Sequence, residues 1–174
     1  MINIIYSCKL LILLLTIGFN LDDTLSNPSN DKDIVMVYIG TSNCSFCTSE
    51  ENDQHLKTIF EGIARNKQFA YRKIGISIDE NLVEGFNFLN DLNVRFDEII
   101  VASRNTNLGY IKYVKDEFIG VEIVPQVLVL LSVYKSNNKT EIIEEKLLYR
   151  VVGIEKMKTF GTVATKINLN NLVN

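Results

Sequence analysis

Cys44-Ser45-Phe46-Cys47 is where this 174-residue chain brings two thiols within one helical turn of each other. Cysteines at this spacing can close a disulfide across the turn. The chemistry this permits is thiol–disulfide exchange, in which a thiolate attacks a disulfide sulfur. With Cys44 opening a helix, unpaired backbone N–H groups and the helix dipole would stabilise its thiolate and raise the reactive fraction near neutral pH. Cys47, one turn on, would be more buried and would react once Cys44 is engaged. Three plainer readings stand beside this one. A structural disulfide over so short a loop constrains little chain entropy. A zinc site needs two further ligands, and only Cys8, His55 and carboxylates remain to supply them. The pair could also be a chance one.

Composition narrows the classes. A chain 47 % hydrophobic and 22 % charged can build one globular domain with a substantial core. Three cysteines are too few for a disulfide-stapled miniprotein, and a single histidine excludes a three-histidine metal centre. A net charge of −3 and a pI near 5.3 speak against phosphate-neutralising nucleic-acid binding. No metal and no cofactor is expected. His55 has no catalytic partner in sequence and reads as structural.

The elements that must position the pair follow from patterning. Ile34 to Ile39 is a continuous apolar run ended by Gly40, the mark of a buried strand. A helix is expected from Cys44 to about Asn66, with Leu56, Ile59, Phe60 and Ile63 at helical spacing and Glu50, Glu51 and Asp53 near its positive end. Ala70 to Ile78 reads as the second strand. Asp79 stands in a capping position before a helix over Leu82 to Leu92. A short strand falls at Ile99-Ile100-Val101, and Asn105 or Thr106 is placed to cap a further helix through Phe118. Gln126 to Tyr134 and Glu141 to Val152, separated by a polar turn, predict an antiparallel hairpin. Gly153 ends it, and Met157, Phe160, Ala164 and Ile167 mark a closing helix. The order β-α-β-α-β-α-β-β-α predicts an α/β domain with a central mixed sheet and helices on both faces.

Ahead of the domain, Lys9 is followed by the apolar run Leu10 to Phe19, the layout of a secretory signal. The stretch from Ile2 to Leu21 is also about long enough to anchor in a bilayer. Residues 1–21 are therefore read as a signal peptide or N-terminal membrane anchor, 22–33 as a turn-rich linker containing Pro28, and 34–174 as the domain. The chain is expected to be exported, periplasmic or otherwise extracytoplasmic. Cys8 precedes the apolar core and is given no role.

Pro125 is the one proline of the domain, yet it opens the most apolar strand. A proline is tolerated at a strand's first residue. The sharper expectation is a cis Val124–Pro125 bond facing the cysteines.

Taken together, Val35–Ile39 leading to Cys44-Ser45-Phe46-Cys47, Val124-Pro125 ahead of Val127–Val133, and Val151-Val152-Gly153 ahead of the last helix resemble the thioredoxin-fold family over Ile34 to Leu172. The helix–strand unit at Glu80–Ala102 looks like the insertion of exported TlpA/ResA-type thiol-disulfide oxidoreductases. The resemblance implies a three-layer α/β/α fold and a mechanism. Cys44 attacks a protein disulfide, and Cys47 then attacks Cys44 and releases the reduced substrate, leaving a Cys44–Cys47 disulfide. Pro125 holds the loop beside the pair, and the Val124 backbone binds the extended substrate. The implied partners are protein disulfides or dithiols and a redox partner that recycles the pair.

The sequence departs from the family at defined points. Asn43 stands where a tryptophan precedes the first cysteine, and Ser45-Phe46 replaces Gly-Pro. Tyr38 occupies the place of the buried acid late in the first strand, so Cys47 would need another base, for which Glu50 or Glu51 is the candidate, with a surface acid that suits the helix dipole as the plainer reading of both. Two alternatives compete. A peroxiredoxin-like thiol peroxidase fits Thr41-Ser42-Asn43-Cys44, but Val37 stands where that pattern has proline, and Arg104 would have to reach the thiol. A non-enzymatic thioredoxin-like binding module is the other, and retention of both cysteines weighs against it.

Overall fold

The computed structural model describes residues 31–135 and 139–173. The leader at 1–21, Cys8 and Pro28 lie outside the described residues. Among the described residues, no helix is long and apolar enough to cross a membrane. The first strand takes in Lys32 and Asp33, so regular structure begins just before residue 34.

Five strands form one sheet: β1 (Lys32–Gly40), β2 (Ala70–Ser77), β3 (Glu98–Val101), β4 (Gln126–Tyr134) and β5 (Ile142–Val152), in the order β3-β2-β1-β4-β5. β1 pairs parallel with β2 and antiparallel with β4. β1 is therefore the central strand, and Ile34 through Ile39 are all fully buried. That accounts for its unbroken apolar run, because a strand covered on both faces has no polar side to alternate with. The expected hairpin is present as β4–β5, with register irregularities near Leu130 and Tyr134.

Alternate β1 side chains feed two cores. Ile34, Met36 and Tyr38 face a cluster with Leu56, Ile59, Phe60 and Ile63 of α1 (Glu50–Ala64), Phe88 and Leu89 of α2 (Leu82–Asp91), and Met157 and Ala164 of α4 (Ile154–Ala164). Val35, Val37 and Ile39 face the other way, against Tyr110, Tyr113 and Val114. These belong to α3 (Leu108–Tyr110) and the π-helical stretch Ile111–Asp116 that continues it. A short α5 (Asn170–Val173) ends the described chain. This is the three-layer α/β architecture with a central mixed sheet expected from the sequence, and α2 with the edge strand β3 is the helix–strand unit read at Glu80–Ala102.

Three boundaries differ from expectation, each because a side chain caps elsewhere. α1 begins at Glu50 and not at Cys44, since the Ser49 hydroxyl accepts the Asn52 N–H at 3.1 Å. α2 is capped by Asn81, which accepts from the N–H groups of Val83 and Glu84, and not by Asp79. α3 is capped by Asn107, whose Oδ1 accepts the Tyr110 N–H at 2.9 Å, in place of Asn105 or Thr106.

α1 and α4 cross on the same sheet face at Gly62, where a Cβ would lie 3.0 Å from the Ala164 Cβ and 3.1 Å from the Thr165 nitrogen. The helix that follows the cysteine turn is thus held against α4 by backbone proximity. Gly62→Val should overpack this crossing and destabilise the domain by about 1–3 kcal/mol. The measurement is a lowered urea midpoint at unchanged denaturant slope.

Candidate functional site

β1 ends at Gly40, and β4 begins at Gln126. Their antiparallel register pairs Ile39 with Gln126 and Tyr38 with Val127. The turn leaving β1 and the residues entering β4 are thereby delivered to the same end of the sheet. Cys44 and the Val124–Pro125 peptide, 80 residues apart, meet there: the Cys44 thiol approaches the Val124 carbonyl at 3.9 Å. The Val124–Pro125 peptide is cis.

The two cysteines are free thiols in unequal surroundings. Cys44 is half-buried and sits on a tight turn ahead of α1, not within the helix. Its carbonyl accepts the N–H groups of Cys47 at 2.9 Å and Thr48 at 3.1 Å, and its sulfur accepts the Cys47 N–H at 3.2 Å. The thiol therefore stands on a turn and not at a helix end, with the Cys47 N–H as the backbone donor on its sulfur. Cys47 is fully buried. Burial pushes its thiol well above the usual range, helped by the hydrogen bond with Cys44, while a Thr41 backbone group and the Tyr38 hydroxyl pull the other way.

Asp79, at the end of β2, was not recognised in the sequence as part of the site. It is 2 % exposed, and its carboxylate accepts from the Thr41 hydroxyl at 2.6 Å, the Ser42 N–H at 3.0 Å, the Ser42 hydroxyl at 2.8 Å and the Asn43 side-chain amide at 3.3 Å. The Ser77 hydroxyl completes the set at 2.5 Å. The residue read as a helix cap therefore clamps the three residues before Cys44. Burial alone would raise its pKa, but the hydrogen bonds from Ser77, Thr41 and Ser42 outweigh burial and lower it. Three polar residues in a row, Thr41-Ser42-Asn43, and the acid that follows the apolar end of the parallel neighbour strand were the available signal.

The opposite wall is braced in the same manner. The Gly153 N–H, at a positive-φ junction between β5 and α4, donates to the Pro125 carbonyl at 2.8 Å. The buried Gln126 amide donates to the carbonyls of Val121 at 3.3 Å and Ile123 at 3.0 Å. Arg150 holds Gln126 in turn, donating to its Oε1 at 2.7 Å, and also donates to the carbonyls of Tyr113 and Phe118. Gly120 is where this guanidinium passes under the loop, since a Cβ there would lie 2.6 Å from it. Phe46, between the two cysteines, and Val121 and Ile123, in the loop that leads to Val124, are exposed.

The remaining candidates fall elsewhere. Glu50 and Glu51 are exposed, bonded to Gln54 and His55 respectively, and Glu51 also pairs with Lys158. Neither turns toward the buried Cys47. His55 is accounted for by that bond to Glu51 on the surface of α1. Arg104 pairs with Glu122 at 3.5 Å and lies over the Tyr110 ring. Among the described residues, no group of three or more His, Cys, Asp or Glu side chains is arranged to hold a metal ion.

No protein-family model and no curated protein sequence matches the chain. Among solved structures, it is similar to a thiol-disulfide oxidoreductase of Bacteroides fragilis (16 % identity, 73 % of this chain and 77 % of that one, TM-score 0.44). It is also similar to the thioredoxin domain of a thiol-disulfide oxidoreductase of Bacteroides vulgatus (12 %, 78 % and 80 %, TM-score 0.43). StoA of Bacillus subtilis is a third (15 %, 74 % and 81 %, TM-score 0.39). Identities this low concern architecture alone.

Because folding lowers the Asp79 pKa, its contribution to stability is complete above the ordinary carboxylate value of about 3.9 and is lost as pH falls through the lower folded value. Asp79→Ala should remove about 1–3 kcal/mol near neutral pH, the cost of orphaning part of its donor set. It should also flatten the acid limb of stability against pH. Chemical denaturation across that pH range measures both.

Proposed function

We propose that this chain is a thiol-disulfide oxidoreductase that exchanges disulfides with protein thiols outside the cytoplasm. The observation that carries the reading is the inequality of the two thiols. Cys44 is accessible, with a turn N–H on its sulfur and the Val124 carbonyl beside it. Cys47 is sealed in the core one turn away. A substrate disulfide can reach the first sulfur and not the second.

In this reading Cys44 attacks a substrate disulfide and forms a mixed disulfide. Cys47 then displaces the substrate sulfur and closes the Cys44–Cys47 disulfide. Pro125, anchored by Gly153, holds the wall of the site, and the Val124 backbone aligns an extended substrate segment. Phe46, between the two cysteines, and Val121 and Ile123, in the loop that leads to Val124, are exposed apolar side chains that would favour segments with apolar residues next to their cysteine. Each turnover leaves the pair oxidised, so a second dithiol partner must reduce it. The redox poise of that partner sets the direction of net exchange. The sequence at 1–21, read as a signal peptide or membrane anchor, supports an exported, extracytoplasmic location. The chemistry needs no cofactor.

Insulin-disulfide reduction by the reduced chain, run beside peroxide consumption, tests the reading. Wild type should reduce insulin and leave peroxide untouched. Cys44→Ala should be inert, and Cys47→Ala should accumulate a covalent mixed disulfide visible on non-reducing gels. Peroxide consumption without insulin reduction would replace this reading with the peroxidase one. Inactivity in both assays, with a pair that never closes, would leave a binding module.

A further inference from the structure

We propose that Tyr38 donates a hydrogen bond to the Cys47 thiolate as Cys47 attacks the mixed disulfide, and that Asn52 aims the Tyr38 hydroxyl for that purpose. The inference rests on the exchange chemistry proposed above and adds a catalytic residue and a positioning residue to it.

Tyr38 lies on the β1 face covered by α1, fully buried, in the same apolar cluster as Cys47. Its ring is set between Phe88 and Phe96, each 6.3 Å away between centroids. Gly40 makes room for the hydroxyl, since a Cβ there would lie 2.7 Å from the Tyr38 oxygen and 2.9 Å from the Phe88 ring. Asn52, also fully buried, stands in the first turn of α1. Its Nδ2 lies 2.9 Å from the Cys47 carbonyl and 3.0 Å from the Tyr38 hydroxyl oxygen.

These two contacts fix the direction of every proton. A carbonyl only accepts, so the atom facing the Cys47 carbonyl must be the amide nitrogen. Both amide hydrogens are then committed, one to the carbonyl and one to the phenol oxygen. The phenol oxygen is an acceptor from Asn52, and its own proton points away from Asn52. Cys47 is fully buried in the same apolar cluster, and its carbonyl is held by the same Asn52 amide that holds the phenol, so its sulfur is the group assigned to receive that proton. Asn52 meets this arrangement at a cost, because its Oδ1 is buried without a partner. A buried acceptor left unpaired is uncommon and destabilising. Its retention is accounted for when the other end of the amide sets the orientation of a working hydroxyl.

Tyr38 acts as a donor and not as a base. Burial pushes its phenol well above the usual tyrosine range, so the proton stays on oxygen throughout. In the resolving step, the Cys47 sulfur bonds to the Cys44 sulfur, and the bond from Cys44 to the substrate sulfur breaks. The electron pair of that bond leaves with the substrate sulfur, which is reduced and takes up one proton. Cys47 is oxidised and gives up one proton. Tyr38 is unchanged and lowers the cost of the thiolate form of Cys47 while it exists. The ionisable groups of the surrounding apolar cluster, which draws on β1, α1, α2, β4, β5 and α4, are Tyr38 and Cys47 in its interior and Cys44, Tyr71 and Tyr149 at its margin.

Ellman's reagent separates the two steps in one stopped-flow experiment on the full reduced chain carrying Cys8→Ser, so that Cys44 and Cys47 are its only thiols. The first equivalent of thionitrobenzoate reports attack by Cys44, and the second reports displacement by Cys47. Tyr38→Phe should slow the second phase about 10–100-fold near neutral pH, the scale of one hydrogen bond to a charged group. It should also move the pH profile of that phase to higher pH, with the first phase unchanged. Asn52→Ala should slow the same phase with a shift in the same direction. The first phase also reports that each variant is folded at the site. Equal slowing of both phases, or a second phase with unaltered rate and pH profile, would overturn the proposal and leave the exchange function standing. A wild-type chain that shows no second phase would overturn both.

Discussion

The antiparallel pairing of β1 with β4 is the constraint on which the site depends. Opposite strand directions place the end of one beside the start of the other, and the pairing of Ile39 with Gln126 sets where they meet. A slip of one residue would turn every β1 side chain to the other face. Tyr38 would then leave the α1 side, and the turn bearing Cys44 would no longer lie against Val124. The register is strongly specified because both faces of β1 are covered by distinct apolar clusters.

Given that register, each neighbouring element contributes one polar anchor to a segment that lacks regular structure. β2 supplies Asp79 to residues 41–43. The β5–α4 junction supplies the Gly153 N–H to Pro125, and Arg150 of β5 works through Gln126 on the carbonyls of Val121 and Ile123. Backbone groups in such segments need partners whenever water is excluded. The anchors satisfy that requirement and also hold the two walls at a fixed separation. Asn43 belongs to this scheme. A small amide there reaches Asp79 and remains exposed.

The strand–turn–helix frame and the cysteine pair were legible from the chain because they carry strong local signals. The runs at Ile34–Ile39 and Gln126–Tyr134 have strand composition and no polar face, and a thiol pair at this spacing has few uses. The reading failed where a short polar side chain chooses among several nearby backbone groups. Ser49, Asn81 and Asn107 cap the helices, while Asp79, which has good capping chemistry, turns back toward β1. Gln126, Arg150 and Asn52 were invisible for a related reason. Each bonds main-chain carbonyls, which have the same chemistry at every residue and leave no trace in sequence type or spacing.

The exchange proposed for the two sulfurs places no demand for a buried acid at the position of Tyr38. A carboxylate in that cluster would have to be desolvated, and once ionised it would repel a thiolate at close range in a medium that screens poorly. A phenol oriented by an amide presents a positive hydrogen to the sulfur and adds no charge. Such a donor offsets part of the burial cost of the Cys47 thiolate, yet it does not remove the proton, so Cys47 stays protonated until attack begins. Cys44 faces the opposite situation, with solvent on one side and a turn N–H on its sulfur. In the exchange proposed for this chain, the division of labour between the two cysteines would follow from these surroundings: the accessible sulfur would open the exchange, and the buried one would close it once a mixed disulfide is within reach.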